Sequence, residues 1–154
     1  MKTISVPFTT EVISNNQVSS VEQTEAGELI IGIEAILSDL YQPIQETKQY
    51  PFEISDTYTV MVQELGLPNQ KVRYKVAVKQ CYFIDENNLK HHFNWPVKGL
   101  SLRLGISEAV IYKMIYFLQN TNLSFVEISN LLNDLYQVKP CAGVLNFMQA
   151  NYLR

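Results

Sequence analysis

Cysteine is almost missing from this chain of 154 residues: there are two, Cys81 and Cys141. No Cys-x-x-Cys pair and no Cys/His cluster at zinc spacing occurs, which argues against a disulfide-framed domain or a zinc finger. Glycine is equally sparse, with six residues and none at phosphate-loop or dinucleotide-binding spacing. Charge of either sign is scarce at 18%, and the net charge is −3. A protein that coats a polyanion with its whole surface is thereby excluded. Long hydrophobic runs are missing too. The most apolar stretch, 29–40, is interrupted by Gly32, Glu34, Ser38 and Asp39, too broken to cross a bilayer. The first eight residues contain one lysine and no apolar stretch, so no signal peptide is expected. These absences point to a soluble, cytoplasmic protein without a membrane partner.

What is present is a hydrophobic fraction of 47%, typical of a chain that folds around a core. Charge is unevenly spread. Residues 1–87 hold six basic and twelve acidic side chains, whereas residues 88–154 hold six basic and three acidic. Opposite signs in the two parts suggest separate tasks.

Residues 1–19 read as an extended polar arm. Ser20-Val-Glu-Gln23 has the form of a capping box, and Leu29, Ile33, Ile36, Leu37 and Leu40 follow at helical spacing. These predict a helix over 21–41, with a short second helix over 44–49 after Pro43. Residues 57–65 are rich in β-branched and aromatic side chains, and Gly66-Leu-Pro-Asn69 is a turn. Val72, Tyr74, Val76 and Val78 then alternate with Arg73, Lys75, Ala77 and Lys79, a strand with one basic face. After a turn at 85–88, residues 89–95 form a returning strand, giving a three-stranded antiparallel meander. From Pro96 onward the pattern is helical. A short helix over 97–104 ends at Gly105, a second is capped by Ser107, a third opens at Ser124-Phe-Val-Glu127, and a last one starts near Pro140.

The predicted fold class is α+β: an N-terminal helix on a small antiparallel sheet, followed by a helical C-terminal part with helix-turn-helix-like pairs. The implied organisation is an acidic lobe over 1–95 and a helical lobe over 96–154.

Two segments carry helix-turn-helix grammar. In 100–114 a short helix ends in Gly and Ser107 caps the next, whose outward residues include Ser107 and Lys113. In 123–148 the order is Leu123-Ser124, Ile128, Leu131-Leu132, Val138, then Ala142-Gly143-Val144. This second segment resembles the helix-turn-helix region of bacterial insertion-sequence transposases. The resemblance implies duplex DNA as partner and a place in mobile-element or transcription regulation; a homodimer is expected because it would make up for weak single-site contacts and bind a two-fold site. No strand-borne carboxylate triad follows among these residues, so it implies a binding module or regulator, not a transposase. The DNA-binding set is then Arg103, Ser107, Lys113, Lys139, Asn146, Gln149 and Arg154. Asn and Gln can read adenine, and the cations can neutralise phosphate.

Other chemistry has little support. His91 and His92 are adjacent on a strand and point to opposite faces, so they do not share a metal ion. Cys81 reads as a strand or core thiol, and Cys141 sits near a helix start without a recognisable base. No Ser/His/Asp arrangement occurs. The expectation is a non-enzyme with no metal and no cofactor. The Arg73, Lys75, Lys79 row reads as the wet face of a sheet, with Tyr74 and Tyr82 on its other side. The alternative function is an acidic adaptor or inhibitor docking on a basic protein.

Overall fold

A computed structural model describes residues 11–37 and 50–152. It contains one seven-stranded sheet and four helices among those residues. The chain runs α1 (Glu11–Asn15), β1 (Asn16–Gln23), β2 (Leu29–Ala35), β3 (Phe52–Leu67), β4 (Gln70–Ile84), β5 (Lys90–Asn94), β6 (Leu100–Ser101) and β7 (Ile106–Ser107). Three longer helices follow: α2 (Glu108–Asn120), α3 (Phe125–Tyr136) and α4 (Ala142–Tyr152). The strand order is β1-β2-β4-β3-β7-β6, with β5 also paired to β4.

The expected N-terminal helix on a small antiparallel sheet is overturned. Residues predicted as the helix 21–41 include the end of β1 and all of β2, joined by a turn in which Gly27 takes φ +86°. The reason lies in β2's position. It pairs antiparallel with β1 and parallel with β4, so both of its edges are taken, and nearly every residue of Leu29–Ala35 is apolar and at least partly buried. A doubly covered strand loses the period-two signature, and its isoleucines can equally be counted at helical spacing. Gly32, costly within a helix, has a purpose here. A Cβ on it would lie 2.3 Å from the Ser20 hydroxyl oxygen. The short helix expected at 44–49 lies outside the described residues.

The antiparallel β3-β4-β5 meander is present, but as three of seven strands in a mixed sheet. β4 is long enough to serve two neighbours on one edge: β2 along Val72–Ala77, then β5 along Gln80–Ile84. The expected helix over 97–104 is also absent. Gly99 and Gly105 both take positive φ, one just before β6 and the other just before β7, and these two strands form a small hairpin. Val12 lies so close to Gly99 that a Cβ there would come within 2.8 Å of it.

Two apolar clusters result. One covers the inner face of β2, β3 and β4 with Val12, Val97 and Leu100; the other joins Ile106 to α2, α3 and α4 around Met114, Leu132 and Met148. Helices α2 and α3 begin where the sequence predicts: the Ser107 hydroxyl accepts from Val110 N, and the Ser124 hydroxyl accepts from Glu127 N; α1 instead falls within residues 1–19, which read as an extended arm.

Glu64 links the clusters. Its side chain is 1% exposed. The carboxylate accepts hydrogen bonds from the Tyr74 hydroxyl (2.6 Å), the Ser107 hydroxyl (2.6 Å) and Leu65 N (2.7 Å). One oxygen thus ties the sheet to the cap of α2. Three further bonds secure the bundle. The Gln63 amide donates to Lys139 O and accepts from Lys139 N, and Gln137 donates to Pro68 O. Ser107→Ala removes both a donor to a buried carboxylate and a helix cap, and we expect a loss of about 2–3 kcal/mol in urea unfolding. A neutral result in that titration would show that Glu64 has no structural role at this junction.

Candidate nucleic-acid interface

Strand β4 determines where the cations go. Val72, Tyr74, Val76 and Val78 are fully buried, which sends Arg73, Lys75, Ala77 and Lys79 to the other, open face. Their partners on β3 are Gln63, Met61, Thr59 and Thr57, all uncharged. The Arg73 Nε is held by Glu28 in a short ion pair. Among the described residues no carboxylate pairs with Lys71, Lys75, Lys79 or Lys139.

One end of this open face meets the helical bundle. There, Gln63, Lys71, Arg73, Gly105, Lys139 and Cys141 line a cleft of about 420 Å³. Lys139 reaches it because Gln63 clasps its backbone. Three cations from two parts of the fold converge on this one concavity. Cys141 is exposed beside them.

The helix that leaves the cleft is α4. Val144 and Met148 are buried, and Ala142, Gly143, Asn146 and Gln149 are exposed. Its outer face is therefore small or amide-bearing, a shape that permits close approach to a groove. Asn151 is turned back onto Phe147 O at 2.8 Å. In the preceding connection Gln137 adopts φ +51°, and Val138 and Pro140 are buried. A left-handed residue is a common end to a helix before a tight corner.

The expected site residues divide as follows. Lys139 precedes α4, Asn146 lies in its first half and Gln149 in its second, and all three are exposed. Arg103 is exposed in the turn between β6 and β7. Lys113 is half-buried, its Nζ 5.7 Å from the Tyr116 ring and 5.6 Å from the Tyr136 ring. Ser107 is corrected: it is completely buried and bonded to Glu64, so no external ligand reaches it. With it goes the helix pair at 100–114, whose first member is the β6–β7 hairpin. Arg154 lies outside the described residues. Lys71 extends the same period of two by one step before Arg73, which sets it on the basic face and at the cleft.

The far end of the open face is aromatic. Phe83 stacks between Tyr50 (5.2 Å, 15°) and His91 (4.8 Å, 11°), while Trp95 lies against Phe52 at 4.8 Å. On the reverse face the Tyr82 hydroxyl donates to Glu53 in a short hydrogen bond, which pushes its pKa up. Burial raises the Cys81 thiol, partly offset by the nearby Lys79 charge. The two histidines do face opposite sides: His91 pairs with Phe83 and His92 with Tyr82. His91 Nε2 lies 2.7 Å from Asp85. No group of three metal-ligating side chains occurs among the described residues. Nor is any described helix long and apolar enough to cross a membrane.

The chain matches no protein-family model, no characterised protein and no solved structure.

Asp85 holds the β4–β5 turn by accepting from His91, Leu89 N and Asn87 N, and these bonds lower its pKa below the usual 3.8. A depressed carboxylate pKa means that the contribution is intact above the unfolded value and is lost as pH falls through the folded one. The Asp85 carboxyl signal in an NMR titration should therefore have its midpoint below 3.8. A midpoint at or above that value would mean that these contacts do not favour the ionised form.

Proposed function

We propose that this chain is a non-enzymatic binding protein that engages duplex DNA through α4 and the cationic cleft at its start. The observation that carries the reading is the convergence of Lys71, Arg73 and Lys139 on the cleft from which α4 departs. Cations at the start of an exposed helix with small side chains are what a groove-inserting helix requires: phosphate contacts fix its position while early side chains meet base edges. Lys71 and Lys139 are assigned to phosphates, and Arg73 adds the donors that Glu28 leaves to it. Asn146 and Gln149, three residues apart on one exposed face, are assigned to base edges, with adenine as the natural partner of their amides. Arg103 is an outlying backbone contact. Lys113, over its two tyrosine rings, is a minor one. The resemblance of 123–148 to a transposase helix-turn-helix region agrees with this placement. A homodimer on a two-fold site would compensate for the small number of cations per copy.

The test is fluorescence anisotropy with a labelled duplex pool across a salt series. Affinity should fall as salt rises. Lys71→Ala and Lys139→Ala should each reduce the slope of log K against log salt by about 0.9. Gln149→Ala should weaken binding to the preferred site by about 1–3 kcal/mol while leaving that slope unchanged. Absence of duplex binding at low salt sinks the reading. It would leave the acidic composition of residues 1–87, with twelve carboxylates against six cations, as the basis for docking on a basic protein.

A further inference from the structure

We propose a second binding surface, continuous with the cleft at Arg73: the open face of β3 and β4 is a track for single-stranded nucleic acid, with the column of rings at its far end as a base-stacking platform.

The argument begins with an unbroken alternation along β4. Arg73, Lys75, Ala77, Lys79, Cys81 and Phe83 occupy one face in sequence. The extra residue that shifts the register, Ser55, belongs to β3, so β4 does not flip its side chains between the cations and the rings. Cation and aromatic side chains therefore share one surface. Side chains on one face of a strand recur about every 6.7 Å, about twice the 3.4 Å phosphate spacing of a stacked strand. Arg73 and Lys75 are thus spaced for every second phosphate, and Lys75 and Lys79, with Ala77 between them, for about every fourth; a flexible strand can stretch to fit.

The neighbouring strands give the track a side. On β3, Thr57, Thr59, Met61 and Gln63 are uncharged, and the threonines offer hydroxyl donors. On β2, Glu34 stands opposite Ala77, and Glu28 already holds Arg73. A polyanion is steered to the β3 side. Asp56 and Glu53 do not oppose it, because they pair with Gln80 and Tyr82 on the reverse face.

At the far end, Tyr50, Phe83 and His91 form a nearly parallel three-ring column. His91 terminates it with a side chain 47% exposed. Its plane is fixed by the 2.7 Å contact with Asp85, so the open ring face is pre-oriented. An unpaired base can extend this column by one ring. Bases inside a duplex have no free face to offer, and stacking on His, Phe and Tyr is the usual way that single strands are held. This surface shares Arg73 with the cleft, but it uses no α4 residue and neither Lys71 nor Lys139, so variants at Lys75 and His91 test it apart from the duplex reading.

The experiment uses the full chain and a labelled oligothymidine of about 12 nucleotides, within the usual footprint of such platforms. Anisotropy reports binding, and Trp95, the one tryptophan, reports stacking at the ring cluster by a change in its emission. His91→Ala, at an exposed position, should weaken oligothymidine binding by about 5- to 150-fold, the range that stacking losses give, and Lys75→Glu, also exposed, should weaken it and reduce its salt dependence. Thermal melting checks that both variants remain folded. Gln149→Ala should leave oligothymidine binding unchanged, whatever it does to a duplex. The proposal is overturned if oligothymidine fails to bind at low salt, if neither variant weakens it, or if a blunt duplex displaces it from this face with equal affinity.

Discussion

Glu64 is the junction on which the remaining architecture turns. A carboxylate withdrawn from water is costly, and it is tolerated only where donors replace the water that was lost. Here a tyrosine hydroxyl comes from β4, a serine hydroxyl from the end of β7 and an N–H from β3 itself. These groups belong to separate parts of the chain, so satisfying one acid sets the bundle against the sheet. The same serine caps α2, which brings the positive end of a helix dipole close to the negative charge. Apolar packing on either side would tolerate small rotations; a three-donor carboxylate tolerates far fewer. The cationic cleft inherits that constraint, because one of its lysines comes from the bundle side and two of its cations from β4.

The sequence was most readable where the pattern is local. The alternation over 72–79, the turn after Gly66 and the Ser107 and Ser124 caps can all be seen in a few neighbouring residues, and each forms. Strand β2 was not readable. Covered by β1 on one edge and β4 on the other, it presents a continuous apolar run whose identity depends on partners far along the chain. Gly105 misled for a related reason. A left-handed glycine ends helices, yet it also makes tight hairpin turns, and only the pairing of Leu100 with Ser107 decides between these. Ser107 was correctly seen as a cap and wrongly exposed, because its second partner, Glu64, is remote in sequence. For the cations, a signal was available and not carried far enough. Extending the period of two beyond Lys79 leads to Phe83, not to Tyr82, and places an aromatic ring on the basic face.

β4 also explains how one small sheet has two unlike ends. Along its first half it is a central strand, with hydrophobic neighbours on both edges and a packed inner face. Along its second half β2 has gone and β5 has taken its place. There the face that carries the cations takes on rings, which pack on one another on the side opposite the aliphatic core. Trp95 sits where β5 ends, almost entirely enclosed, its backbone N–H bonded to Lys79 O.

The two thiols differ in a way that matters for spectroscopy. Cys81 is enclosed within the β4–β5 pair and its ionisation is suppressed, whereas Cys141 stands in the open beside Lys139. An alkylating dye added under native conditions therefore has a single address. That address is at the rim of the concavity where sheet and bundle meet, so the unmodified chain accepts one reporter group there without any engineered cysteine.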